Sequence, residues 1–300
     1  MNEGASTGNG GAPGRAGASP SGYRLARDTV GARAWLKLLH LVRNRHWPDL
    51  AEPRTFNELV QARKLRDRNP LLPRLADKVL VKDYVAERLG PDWLIPTLWH
   101  GRELPEQPPW PRPFVVKSSH GSQQCRFIRS ADDEWEPVRR AARGWVATNY
   151  GAILGEWLYG QIPAQILVEP FIGTGGELPL DYKLFVFGGR TEFVQVDTDR
   201  EHGHKRAIFD RDWNRLPVRL QYPIDPREIA PPASLAEMMR AAEALAEDID
   251  FVRIDFYEVG GRPLFGEMTF YPGSGLDRFD PPSFDRLFGE RWLEARRRAA

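Results

Sequence analysis

Disulfides are out of reach of this chain, because its 300 residues include one cysteine, Cys125, and a bridge needs two. No apolar run approaches the roughly 20 residues of a membrane-spanning helix, and no apolar stretch near the start reads as a secretory leader. A net field is missing too, since 42 Lys and Arg stand against 41 Asp and Glu. So balanced a chain is not drawn as a whole onto nucleic acid or an anionic surface, and any anionic ligand has to be held by a local cluster. What is present is core material: 41% of the residues are hydrophobic and 11% aromatic. These features lead us to expect a globular cytoplasmic enzyme without a membrane span and without a nucleic-acid partner.

Residues 1–22 are Gly, Ala, Ser, Pro and Asn with almost nothing large and apolar, too little to offset the entropy of ordering them, so a disordered tail is expected. Residues 23–75 read as a helical N-terminal segment. Trp35, Leu38, Leu39 and Val42 recur at spacings of three and four, and Phe56, Leu59 and Val60 come after them. These helices are small beside an independent domain of roughly 100 to 150 residues and should pack on the rest of the chain. Asp77 to Gly90 has helical periodicity and stops at a glycine. The pattern then changes to strands. Pro113 to Ser122 is a β-branched run ending in a small polar turn, with Cys125 to Ile128 as its hairpin partner. A long helix carrying Trp145 and Trp157, interrupted near Tyr150 and Gly151, comes next. Ile166 to Ile172, Asp181 to Gly189 and Thr191 to Asp199 are strand candidates, the last two joined across Gly188 and Gly189. After a helix from Ser234 to Glu247, FVRIDFYEV and PLFGEMTF form a hairpin across Gly260 and Gly261. Hairpins with helices between them indicate α+β layers rather than a doubly wound parallel sheet. No internal repeat is present.

The chemistry concentrates between Phe251 and Gly275. Arg253, Asp255 and Tyr257 share one strand face, and Glu267 and Thr269 share a face of the next. Charges inside apolar strands are costly unless paired or bound to an ion, so Asp255 and Glu267 read as a carboxylate pair for a hard cation such as magnesium. The alternative on these two strands is a buried salt bridge to Arg253 with no ligand. Lys117 ends a strand before Ser118, Ser119, His120, Gly121 and Ser122, a loop small enough for backbone N–H groups to approach phosphate oxygens. A solvated strand-end lysine is the plainer reading of that position. Lys183 stands inside an apolar strand, where a cation calls for an anion. Glu169 interrupts the run ILVEPFI before Gly173, Gly175 and Gly176; that strand end suits an adenine edge, and the carboxylate suits a linker equally well.

In order, these pieces are a DK at Asp77 and Lys78, VVKSSHGS, VEPFI, DYKLFVFGG, DTDR at Asp197 to Arg200, VRIDFY and FGEMTFYPGSG. That ordered set, from about Thr55 to Glu290, resembles the ATP-grasp superfamily, and within it the TupA-like proteins found with bacterial surface polysaccharide and teichuronopeptide genes. The resemblance implies two α+β lobes holding ATP between them over residues 76–295, the smaller lobe about 113–172 and the larger about 173–295, behind the short helical N-terminal extension. It also implies that Lys78, Lys117, Ser122 and Lys183 contact the nucleotide, with the last two lysines named on its phosphates. Glu169, Pro170, Phe171 and Ile172 would form the adenine hinge, and Glu177 would reach the ribose. Asp255 and Glu267, with Thr269 beside them, would hold Mg2+. Arg253 and Arg200 would face the γ-phosphate or a phosphorylated intermediate, where planar bidentate donors suit spread negative charge. Two departures stand out: many ATP-grasp enzymes have Asn where this chain has Thr269, and a full N-terminal α/β domain where this chain has short helices.

The implied reaction activates a carboxylate as an acyl phosphate and joins it to an amine, with an amino acid, peptide or sugar acid as acceptor or donor. Magnesium and the Lys/Arg set would spread the charge of the transferring phosphoryl group, and SSHGS is the candidate lid. Three rivals are a phosphotransferase acting on a hydroxyl, a glycosyltransferase suggested only by the gene neighbourhood of relatives, and a binding module without turnover. His120 is a candidate catalytic residue by its place in the lid and otherwise an ordinary loop histidine. His202 and His204 form a poor metal motif. Trp145 and Trp157 read as core, and Cys125 as an inert strand residue.

Overall fold

A computed structural model describes residues 29–148, 151, 152, 154–201 and 203–299. The tail expected over residues 1–22, the break expected at Tyr150, and His202 lie outside the described residues. Four helices come first: α1 (Ala32–Asn44), α2 (Phe56–Arg66), α3 (Leu71–Ala76) and α4 (Val81–Leu89). Next are β1 (Trp99–Gly101), β2 (Phe114–Ser118), β3 (Cys125–Ile128), α5 (Trp135–Ala147) and β4 (Ile166–Pro170). The rest of the chain forms β5 (Asp181–Phe187), β6 (Arg190–Thr198), β7 (Lys205–Asp210), β8 (Arg219–Leu220), α6 (Leu235–Leu245), β9 (Phe251–Val259), β10 (Arg262–Thr269), β11 (Phe279–Asp280) and α7 (Ser283–Ala299).

All the expected hairpins form. Lys117 pairs with Cys125 at the loop end of β2–β3, Phe187 with Arg190 across the Gly188–Gly189 turn, and Val259 with Arg262 across Gly260–Gly261. They assemble into a four-stranded antiparallel sheet ordered β1-β4-β2-β3 and a five-stranded one ordered β10-β9-β5-β6-β7. Each sheet has its own core. Phe114, Val116, Ile128, Val138, Ala142, Ile166 and Val168 fill the smaller, and Trp145 packs there as expected. The larger gathers α2, α4, α6 and α7 around β5, β6 and β9.

Helix α2 opens with a capping box, in which the Thr55 hydroxyl accepts from the Glu58 amide and Glu58 accepts in turn from the Thr55 amide. Its Phe56 ring packs edge-on against Phe185, Phe187, Phe251 and Phe288. The N-terminal helices therefore dock on the larger sheet, as their size required. Two elements differ in extent from expectation. The helix after Asp77 starts at Val81 because the Asp77 carboxylate accepts the amides of Val79 at 2.8 Å and Leu80 at 3.4 Å, holding a turn in front of it. Trp157 belongs to a separate short 3-10 turn, Trp157–Gln161. Strands β1 and β7, the two-residue strands β8 and β11, and helix α7 have no counterpart among the elements expected from sequence.

One face of the five-stranded sheet changes character along its strands. Across β10, β9, β5, β6 and β7 the register aligns Thr269, Arg253, Phe185, Phe193 and Asp210. The next row on that face is Glu267, Asp255, Lys183, Gln195 and Ile208, and the one after it Tyr257, Asp181, Asp197 and Arg206. The aromatic end is roofed by Phe56, Phe288 and Trp292. The charged end faces the four-stranded sheet, and most of the charged residues singled out in sequence are there.

Candidate active site

Lys183 is the hub of the charged end. This residue is 8% exposed; its ammonium donates to Asp255 Oδ2 at 2.7 Å and to Asp181, and lies 3.9 Å from Asp197. Burial opposes its charge, but Asp181 and Asp255 more than compensate and hold its pKa above the ordinary lysine value. Asp255, 1% exposed, takes both prongs of Arg253, at 2.7 and 2.8 Å. Burial pushes this carboxyl upward against the pull of Arg253 and Lys183. Arg253 also reaches Thr269 Oγ1 at 3.1 Å and Glu267 Oε1 at 3.4 Å. On the far side Arg206 grips Asp197 in a fork, at 2.6 and 3.1 Å, and Arg200 donates to Asp181 at 3.1 Å with its guanidinium over the Tyr257 ring.

The four-stranded sheet supplies the opposite wall. Glu169, on β4 and 4% exposed, lies between two ammonium groups, Lys117 of β2 and Lys82 of α4, each at 2.5 Å. Burial would raise its pKa, yet the two lysines bring it below the ordinary glutamate range. Burial likewise works against Lys117, which Glu169, Tyr257 and Glu267 together keep above the ordinary lysine value. Lys78 crosses between the walls: its Nζ donates to the Gly121 carbonyl at 2.8 Å and lies 3.2 Å from Glu267 Oε2. Burial alone would raise the Glu267 pKa, but Lys78, Arg253 and Lys183 lower it to about 2, so it is ionised at neutral pH.

Lys78, Lys117, Lys183, Arg200, Arg253, Asp255, Glu267, Thr269 and Glu169 are therefore brought into one cleft. His120 is placed otherwise: it is 2% exposed beneath its loop, with Nε2 on the Trp145 carbonyl at 3.1 Å, and burial lowers its pKa. Ser122 is exposed at the loop tip. Pro170, Phe171 and Ile172 run half-buried out of β4, and the Phe171 amide donates to the Pro113 carbonyl at 3.1 Å. Exposed Glu177 is at the rim of a cavity of about 610 Å³ shared with Asp197, Asp199, Arg200 and Arg227. His204 stacks on Tyr222 at 3.7 Å, with Nε2 3.4 Å from Asp197 Oδ1. Sequence reasoning assigned no role to Asp181, Asp197, Arg206 or Lys82. Asp181 stands two residues before Lys183 on the same strand face, and Lys82 four residues after Lys78, so the spacing signals existed. Arg206 is on a strand the sequence did not disclose.

Asp255 and Glu267 face each other directly across β9 and β10. Arg253 already joins the two, with its fork on Asp255 and its Nη2 3.4 Å from Glu267 Oε1, which is the salt bridge that the sequence offers as the alternative; hard oxygen donors in that number also suit magnesium shared with substrate phosphates. Among the described residues no group of three or more His, Cys, Asp or Glu has the arrangement of a self-sufficient metal site. A metal held by Asp255 and Glu267 would need its further oxygen ligands from a substrate phosphate.

Solved structures of similar architecture include an L-amino acid ligase from Bacillus licheniformis, 14% identical with a TM-score of 0.45 over 73% of this chain and 50% of that one. A D-alanine–D-alanine ligase from Bacillus anthracis complexed with ATP is 12% identical, with a TM-score of 0.42 over 75% of this chain and 66% of that one. The enzyme of the same name from Helicobacter pylori is 15% identical, with a TM-score of 0.44 over 81% of this chain and 67% of that one. This chain thus spans about half the length of the L-amino acid ligase it matches. No curated protein matches the sequence. The sequence model of the TupA-like ATP-grasp family matches residues 58–293, a span that includes both sheets and every residue of the cleft, and the chain belongs to that family.

Proposed function

We propose that this protein is an ATP- and magnesium-dependent ligase that activates a carboxylate as an acyl phosphate and joins it to an amine. The observation that carries the reading is the row Glu267, Asp255 and Lys183 on one sheet facing Lys117 and Lys78 from the other wall. The nucleotide lies between the sheets, its adenine against Glu169 to Ile172, its ribose toward Glu177 and its phosphates against Lys78, Lys117, Ser122 and Lys183. Asp255 and Glu267, with Thr269 adjoining, would hold Mg2+, which would supply neutralisation of phosphate charge. Arg253 and Arg200 stand beside the oxygens of the transferring group, where permanently charged forks stabilise spread negative charge without reorganising. The carboxylate oxygen of the first substrate bonds to the γ-phosphorus as the bond to ADP breaks. The amine then attacks the acyl carbon, phosphate leaves with the C–O bond electrons, and the ammonium proton passes to solvent or a base. Lys183 and Arg253 remain protonated throughout, given their raised pKa values, so they act as electrostatic clamps and not as bases. The 76–295 span, divided near residue 172, is the unit we assign to this work. A cytoplasmic location, where ATP is made, goes with it.

The test is ATP turnover against amino acids, sugar acids and peptides, with all phosphate-containing products quantified. The expected products are ADP and phosphate in equal amounts, and an 18O-labelled carboxylate should deliver one label to the phosphate. AMP with pyrophosphate would overturn the reading. Phosphate retained on the acceptor would identify a hydroxyl-directed kinase instead.

A further inference from the structure

The overall charge balance conceals a local run at the start of the fold. From Val30 to Pro48 the chain carries Arg33, Lys37, Arg43 and Arg45 and no Asp or Glu. Helix α1 buries Trp35, Leu36 and His40 against the body of the protein. Its outer side is not polar, as a solvent-facing helix side ordinarily is. Ala34, Leu38 and Val42 succeed one another at intervals of four along it, all exposed, Leu38 at 42% and Val42 at 70%, and Val30, exposed too, precedes the helix across the non-helical Gly31. Trp47, just past the helix end, is 64% exposed. Arg45 takes up a left-handed conformation there, φ 65°, and closes the helix with its amide on the Leu41 carbonyl at 2.8 Å. Four of the seven large hydrophobic residues exposed in the described chain, Val30, Leu38, Val42 and Trp47, are in this one short segment.

An apolar stripe flanked by cations is the pattern of a helix that lies in a bilayer interface. The apolar side chains enter the acyl boundary, tryptophan sits at headgroup level, and Arg and Lys meet anionic headgroups. Nucleic acid would be served by the charge but not by an Ala, Leu, Val stripe ending in Trp. We propose that α1 and Trp47 form a docking surface for an anionic lipid bilayer, holding the enzyme peripherally at a membrane. The surface is made by residues outside the cleft, and the inference does not depend on the ligase reading. No helix among the described residues is long and apolar enough to cross a membrane.

The test is co-sedimentation of the full chain with vesicles of phosphatidylcholine, with and without phosphatidylglycerol. Binding should appear on the phosphatidylglycerol vesicles and fall as salt is raised, each basic side chain near the surface contributing roughly fivefold. The double variant Leu38→Glu, Val42→Glu should lose about a hundredfold in partitioning while keeping its melting temperature, since both positions are exposed. Arg33→Glu with Arg43→Glu should weaken binding to anionic vesicles alone. Failure of the full chain to bind, equal binding to both vesicle types, or undiminished binding by the folded Leu38 and Val42 variant would overturn the proposal. So would conversion of a dimer to a monomer by that variant, which would make the stripe a contact between two copies of this chain.

Discussion

Glu267 has two jobs in conflict, as the partner of Lys78, Arg253 and Thr269 and as the proposed metal ligand. Glu267→Gln separates them. The amide keeps the size and can still accept from Thr269 and Arg253, so the fold should survive, with a thermal shift of only a few degrees. Turnover should fall about a hundredfold to a thousandfold, the loss of about 3 to 4 kcal/mol of transition-state stabilisation. A folded variant with near-normal, magnesium-dependent ATP use would remove the metal assignment. The same carboxylate gives a pH prediction. Its folded pKa, about 2, lies below the ordinary 4.5, so its contribution is present above pH 4.5 and is lost as pH falls toward 2. With its side chain 29% exposed, that contribution is of the order of 2 kcal/mol. Stability curves of wild type and Glu267→Gln should converge over that interval. These residues were legible in sequence because a charge within an apolar strand stands out. Asp181, Asp197 and Arg206 share the face equally, but their partners are set by strand register, which no local pattern reveals.

Helix α2 shows how a segment can be central and yet read as minor. Every residue from Phe56 to Lys64 is buried, so no amphipathic pattern marks it. Its polar side chains are spent on the loop after β10. Asn57 donates to the Asp277 carbonyl at 2.9 Å, and Gln61 to the carbonyls of Ser274 and Gly275 at 2.8 and 2.9 Å. Lys64, 2% exposed, donates to Ser274 Oγ at 2.6 Å, to the Ser274 carbonyl at 2.8 Å and to the Leu154 carbonyl at 3.0 Å. The loop needs that support because Gly273, Ser274 and Gly275 all have positive φ, at 54°, 58° and 60°. Lys64→Met should therefore leave the loop's carbonyls and buried Glu156 without their cation, and cost about 3 kcal/mol or more in a denaturant titration. If the loop also borders the acceptor, the acceptor KM should rise more than the KM for ATP. Unchanged stability would show that α2 does not hold the loop. Hairpins and their turns were readable from glycine pairs and β-branched runs. The edge strand β7, with Lys205, Arg206 and Asp210 among its six residues, and α7, with a run of arginines, lacked those cues.

Two sheets with separate cores meet here through charged side chains, not through a continuous apolar seam. Lys78 joins the β2–β3 loop to β10, and Lys117 feels Glu267 and Tyr257 across the gap. Nucleotide binding should therefore stabilise the protein as a unit. ATP with magnesium at a hundredfold excess over Kd should add about 2.7 kcal/mol, a rise of roughly 4 to 5 °C in melting temperature for a chain of this size. ATP with chelator should give a smaller rise, and no shift in differential scanning fluorimetry under either condition would count against a nucleotide site between the sheets. The two-layer arrangement was legible because its motifs come in a fixed order along the chain. The relation between the layers rests on Lys78 and Lys82, on a turn and a helix outside either sheet, and no strand pattern announces it.

The bonds Lys78 makes to Glu267 and the Gly121 carbonyl also bear on speed. On the proposed ligase reading, anions in the cleft already have cations beside them, so an arriving triphosphate would take over existing partners and would not fill a vacuum of charge. Lys78 would loosen from Glu267 as a phosphate reaches it and return when ADP departs. Affinity would then be a small difference between two large sets of contacts. A site wired in this way trades tight binding for easy exchange, with the departing product displaced by side chains that have somewhere to go.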